Sequence, residues 1–142
     1  MAYKILVVDD SLPMRSVIKK TIMASGFNVG ELLDASSGKE ALTILKDEWF
    51  DLVLTDYNMP DMNGLELIAE MKKDDLLKDI PVVVITTEGS KQRMDEFIEK
   101  GAQGYIKKPF PPEEIRNKLK FIMGDTEDGE RRPDKGDEEL DF

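Results

Sequence analysis

Five residues of this 142-residue chain could do chemistry together: Asp9, Asp10, Asp56, Thr86 and Lys108. Each stands at the end of a short apolar run. Ile5-Leu6-Val7-Val8 leads to the two aspartates, Leu52-Val53-Leu54-Thr55 to Asp56, Val82-Val83-Val84-Ile85 to Thr86, and Gly104-Tyr105-Ile106-Lys107 to Lys108. If those runs are neighbouring strands, three carboxylates, a hydroxyl and an ammonium meet at one rim. Two anions ~5 Å apart repel by roughly 3 kcal/mol at an effective dielectric near 20. A cluster of three therefore either raises its pKa values or takes up a cation. An all-oxygen set of carboxylates with open positions suits Mg²⁺, which keeps waters and a phosphate oxygen. A cation, a lysine and a hydroxyl around one aspartate can stabilise a transferring phosphoryl group, and the aspartate can be its nucleophile.

The rest of the composition narrows the choice. There is no cysteine and no histidine. That removes disulfides, thiolate nucleophiles, Cys-ligated metals, Ser–His–Asp triads and imidazole bases. Acidic residues number 30 and basic residues 20, a net charge of −10. Sequence-independent nucleic-acid binding needs the opposite sign, and no separate basic module for DNA is visible. No apolar run approaches the ~20 residues of a membrane span, and no secretory signal is recognisable. The expectation is a cytoplasmic protein without membrane insertion.

The elements that must position the rim read as five strand–helix units. Strands are expected at Tyr3–Val8, Val29–Asp34, Asp51–Thr55, Pro81–Thr86 and Gly104–Lys107. Continuous apolar runs mark the first, third and fourth as central strands of a parallel sheet, and the less apolar second and fifth as edges. Ser11 should cap the first helix, which turns Met14, Val17, Ile18 and Ile22 inward and ends at Gly26. Ser37 and Glu40 read as a capping box for the second, ahead of Ala41, Leu42 and Leu45. Asn63 and Glu66 start the third, with Leu67, Ile68 and Met71 inward. The fourth runs from Ser90 to Gly101 with Met94, Phe97 and Ile98 inward. Pro111-Pro112 open the fifth, with Ile115, Leu119 and Ile122 inward. The fold class is α/β, a doubly wound (βα)5 sheet whose ligands bind beyond the carboxyl ends of the strands.

After Gly124 the pattern stops. Residues 125–142 hold nine acids and three bases, six of the ten units of net negative charge, and no large apolar residue before Leu140 and Phe142. The chain therefore divides into a domain at 1–124 and an acidic tail at 125–142. The tail is expected to be disordered, with its Glu138–Phe142 end a candidate docking or autoinhibitory motif.

Four segments together resemble the receiver domain of two-component response regulators. They are Val7-Val8-Asp9-Asp10-Ser11, Leu54-Thr55-Asp56-Tyr57-Asn58-Met59-Pro60-Asp61-Met62-Asn63-Gly64, Ile85-Thr86-Thr87-Glu88 and Gly104-Tyr105-Ile106-Lys107-Lys108-Pro109-Phe110. Each is common alone; in this order, each at a strand end, they are specific. The resemblance implies a flavodoxin-like sheet of order 2-1-3-4-5 and a cis Lys108–Pro109 bond. It makes Asp56 the phosphoacceptor and assigns Mg²⁺ to Asp9, Asp10, Asp56 and the Asn58 carbonyl. Thr86 and Lys108 would bind phosphoryl oxygens, and Tyr105 would be an aromatic switch. It further implies self-catalysed phosphorylation, slow autodephosphorylation, a sensor histidine kinase or phosphotransfer protein as donor, and a monomer. Output would run through the face of helix 4, strand 5 and helix 5, with Lys91, Tyr105 and Lys118 as contacts.

Within that family Asn58, Glu88 and Tyr105 are similar to the chemotaxis, CheY-like type, for which a flagellar-switch protein is the expected target. Thr87 departs from the small alanine common there, which could slow the switch or alter partner choice. A phosphorelay intermediate is the alternative. A haloacid-dehalogenase-like phosphatase would need its second acid two residues after the nucleophile, whereas Asp9 and Asp10 are adjacent. A flavin carrier would need a phosphate-binding loop where Asp9-Asp10 would repel phosphate.

Overall fold

The computed structural model describes residues 2–87 and 89–124. Met1, Glu88 and the tail at 125–142 lie outside the described residues, and with them the expectations placed on Glu88 and on the tail. Five strands, β1 (Tyr3–Val8), β2 (Val29–Ala35), β3 (Leu52–Asp56), β4 (Val82–Thr86) and β5 (Gly104–Lys107), alternate with five helices. The helices are α1 (Leu12–Ser25), α2 (Gly38–Asp47), α3 (Gly64–Lys72), α4 (Lys91–Glu99) and α5 (Pro112–Met123). All strand pairs are parallel, in the order β2-β1-β3-β4-β5. Every residue of β3 and β4 is buried, as their unbroken apolar runs require.

Alternation along the strands feeds two cores. Leu6, Val8 and Val53 face α2, α3 and α4, where Leu45, Leu67, Ile68, Met71 and Phe97 meet them. Ile5, Val7, Leu52 and Leu54 face α1 and α5 through Ile18, Ile22, Ile115 and Leu119. Register carries these runs to a common rim, pairing Val8 with Thr55, Asp56 with Ile85 and Thr86 with Lys107.

Several local expectations need correction. Strand β3 starts at Leu52, one residue after Asp51, whose N–H donates to the Lys4 carbonyl (2.8 Å) and whose carboxylate accepts from the Lys4 N–H (2.8 Å) and the Trp49 Nε1–H (3.2 Å). Strand β4 starts at Val82, after Pro81, which has no N–H to pair. Val17 and Ile98 are 54 % and 47 % exposed. Both sit beside narrow stripes, Ile18–Ile22 on α1 and Met94–Phe97 on α4, which are the buried apolar positions of these helices, with Met14 packing on the core from its edge. The start of α2 is not a reciprocal box: the Ser37 hydroxyl accepts from the Glu40 N–H (3.0 Å), but the Glu40 carboxylate accepts from Ser36 through N–H and Oγ (2.7 Å each). The box at Asn63 and Glu66 is reciprocal, both bonds at 2.9 Å. Helix α4 ends at Glu99, and Gly101 turns the chain two residues later at φ +117°.

Candidate functional site

The β1 ladder runs one residue past the strand, where the Asp9 N–H donates to the Ala35 carbonyl (3.1 Å). Asp9 is 1 % exposed, and its Oδ1 accepts from the Ser11 N–H at 2.8 Å. Ser11 in turn caps α1, its hydroxyl accepting from the Met14 N–H at 3.2 Å. The turn that starts the helix thereby holds the carboxylate. Asp10, the next residue, is exposed. Asp56 ends β3 and is 7 % exposed.

The segment after Asp56 folds back tightly. The Gly64 N–H donates to the Tyr57 carbonyl (2.9 Å), and a Cβ on Gly64 would lie 2.8 Å from the Asp56 carbonyl oxygen. Only glycine permits that approach.

Lys108 is the cation of the site. Its Nζ lies 3.1 Å from Asp56 Oδ1 and 3.7 Å from Asp9 Oδ2. Its own N–H donates to the Thr86 carbonyl (2.7 Å), and the Lys108–Pro109 bond is cis, as expected. Lys108 thus pairs with two acids, and carboxylate oxygens of Asp9, Asp10 and Asp56 lie within 4.8 Å of one another. Asp9 Oδ2 is buried without a hydrogen-bond partner. Burial pushes the Asp56 carboxyl above its ordinary value; Lys108 opposes the shift, and Asp9 and Asp10 add to it. A buried, electron-rich oxygen with no donor beside two further carboxylates is a donor set that fits a hard divalent cation.

Thr86 is 1 % exposed at the end of β4, and Asn58 lies exposed on the loop after Asp56. Tyr105 is half-buried against the core under α4, with Lys118 Nζ 5.4 Å from its ring centre. Lys91 is exposed and paired with Asp95 at 2.8 Å, and Thr87 is exposed. The structure therefore brings Asp9, Asp10, Asp56 and Lys108 together.

It also adds a residue that sequence reasoning missed. Arg15 donates through Nε to Asp34 Oδ2 (2.6 Å) and through Nη1 to the Asp9 carbonyl (2.7 Å). It ties the ends of β1 and β2 to α1 and fixes the backbone of the first acid. Burial raises the Asp34 carboxyl, but Arg15 and Lys19 outweigh it and hold the group below its ordinary value. The signal was Asp34 at a strand end, which offered no hint of a partner on α1.

The model of the response regulator receiver domain family matches residues 5–120. The chain belongs to this family. It is 41 % identical over 122 residues to a "Chemotaxis protein CheY homolog" of Campylobacter jejuni, a match covering 85 % of this chain and 92 % of that protein. A "Chemotaxis protein CheY1" of Helicobacter pylori is 42 % identical over 122 residues, covering 85 % and 97 %. Among solved structures, the chemotaxis protein CheY4 of Vibrio cholerae superposes with a TM-score of 0.77 at 33 % identity, covering 86 % of this chain and 99 % of that one. The receiver is of the CheY-like chemotaxis type, with the flavodoxin-like strand order expected for it. Among the described residues no helix is long and apolar enough to cross a membrane.

Proposed function

We propose that this receiver takes a phosphoryl group from a phosphohistidine of a partner kinase or phosphotransfer protein onto Asp56, and so switches its binding to a downstream chemotaxis protein. The observation that carries the reading is the mismatch at the rim: among the described residues, three clustered acids, two of them buried, against the Lys108 ammonium. With no histidine of its own, the chain depends on a partner for the donor.

In the step, an Asp56 carboxylate oxygen attacks phosphorus as the bond from phosphorus to the donor imidazole nitrogen breaks. The imidazole keeps that electron pair. The product is an acyl phosphate, which water later hydrolyses back to carboxylate and inorganic phosphate. Asp9, Asp10, Asp56 and the Asn58 carbonyl would hold Mg²⁺, which supplies positive charge to the acids and to the phosphoryl oxygens. Lys108, 3.1 Å from Asp56, pairs with one phosphoryl oxygen, and the Thr86 hydroxyl donates to another. The added negative charge biases Thr86 and Tyr105 and thereby the face of α4, β5 and α5. This reading takes 1–124 as the receiver and 125–142 as an acidic tail, in a cytoplasmic monomer.

The test is incubation with a small phosphodonor and Mg²⁺. The parent should incorporate acid-stable, base-labile phosphate and Asp56→Asn should not; equal labelling of the variant would sink the assignment. Onward transfer to a second histidine protein, in place of binding to a flagellar-switch peptide, would replace the chemotaxis output by a relay.

A further inference from the structure

Helix α4 buries only Met94 and Phe97 of its nine residues. An element with so few core anchors depends on its remaining tethers. One of them comes from the residue next to Asp56. Tyr57 is held by its backbone on two sides: its N–H donates to the Ile85 carbonyl (3.0 Å), and its carbonyl accepts from the Gly64 N–H (2.9 Å). Its ring packs on Phe97 with centroids 5.2 Å apart and planes tilted by 48°.

Its hydroxyl accepts from Arg93 Nη1 at 2.9 Å, and the guanidinium carbon lies 5.0 Å from the ring centre. Arg93 belongs to the first turn of α4, where its N–H donates to the capping Ser90 hydroxyl at 3.2 Å. The same Nη1 lies 2.9 Å from Glu96 Oε1. Glu96 is a second, simultaneous partner, so a guanidinium that lets go of the tyrosine keeps a carboxylate beside its charge. A bond that can be made or released at small cost is what a two-state coupling needs.

We infer that Tyr57 and Arg93 form a latch joining α4 to the segment that carries Asp56, and that changes at the acid pocket reach α4 through it. The inference rests on Asp56 as the phosphoacceptor and adds a route separate from Thr86 and Tyr105. Both residues act by positioning; neither touches the reacting atoms. Tyr57→Phe removes the hydroxyl and keeps the ring that packs on Phe97. Arg93→Gln removes the charge on a side chain that is about one-third exposed, 32 %.

The experiment is hydrogen exchange on the full chain, for the parent, each single variant and the double variant, with and without Mg²⁺ and beryllofluoride as phosphoryl mimic. Without ligand, amides of α4 should exchange about threefold to tenfold faster in each single variant, and the double should be no faster than the faster single, because both lose one shared interaction. Amides of α1 and α5 should not change. With beryllofluoride, the response of α4 seen in the parent should shrink in all three variants. Unchanged α4 exchange, effects that add in the double, or a full ligand response in the variants would overturn the latch. A parent that fails to respond to beryllofluoride at all would instead overturn the role of Asp56, while the ligand-free comparison would still decide whether the latch exists.

Discussion

The two ends of the sheet treat charge in opposite ways. At the amino end, Lys4 bonds Glu48 and lies 3.6 Å from Glu31, while its backbone N–H and the Trp49 indole satisfy both oxygens of Asp51. Those carboxylates are matched by donors and reach solvent, with Glu31 and Glu48 side chains 60 % and 41 % exposed. At the carboxyl end, Asp9 and Asp56 are buried and share Lys108, exposed Asp10 lies beside them, and Asp9 Oδ2 has no hydrogen bond among the described residues. The same five strands build both ends. The amino end matches its carboxylates with donors, whereas the carboxyl end gathers three acids around Lys108. Clustered, partly unmatched charge of this kind is typical of functional sites, which is why the proposed chemistry sits at this end.

The contrast breaks hardest at Lys108. Lys108→Met should cut phosphate incorporation by about 100-fold or more, the scale of losing one donor to a developing charge. It should also lower stability in the absence of divalent cations by about 2 kcal/mol, because the buried acids Asp9 and Asp56 lose the ammonium paired with both. Steady labelling kinetics and urea unfolding check the two parts.

Arg15 and Asp34 sharpen the comparison, since theirs is a matched pair next to the mismatched site. Asp34→Asn should destabilise by about 1–2 kcal/mol at neutral pH, as a partly buried, charge-assisted bond is lost. The sign with pH follows from its lowered carboxyl. A depressed folded pKa contributes stability above the ordinary value of 3.8, and that stability fades as pH falls through the folded value. The difference between parent and variant should therefore close on acidification, as read by unfolding at several pH values. At the amino end the effect should be smallest: Lys4→Met should leave stability close to that of the parent, with no effect on labelling. A large loss there would erase the contrast.

Much of this was legible from residue order. Unbroken runs such as Val82–Ile85 announced buried parallel strands, and Asp9, Asp10, Asp56 and Lys108 were found because each follows such a run. What sequence could not show was pairing between distant segments. Arg15 on α1 meets Asp34 on β2, and Tyr57 meets Arg93, 36 positions apart. No spacing rule links such residues, because the contacts exist only after packing. Periodicity also overstated the inward stripes. It placed Val17 and Ile98 with their neighbours, but both stay about half exposed while Ile18, Ile22, Met94 and Phe97 are buried. The Glu40 carboxylate missed its expected target by one residue because Ser36 offers two donors together.

If the acids of the carboxyl rim oppose folding until a cation offsets them, stability must depend on divalent cations through Asp56. That dependence is tested most directly by urea unfolding of the parent and of Asp56→Asn over a series of Mg²⁺ concentrations at neutral pH. The Asp56 carboxyl is held above its ordinary value, so its ionised form opposes folding, and stability is lost as pH rises through the carboxylate range. Without Mg²⁺ the variant should therefore be the more stable protein, by about 1 kcal/mol. At a Mg²⁺ concentration 100-fold above its dissociation constant the parent should gain about 2.7 kcal/mol, and the variant far less. Equal gains in the two proteins, or a variant less stable than the parent without Mg²⁺, would contradict the account.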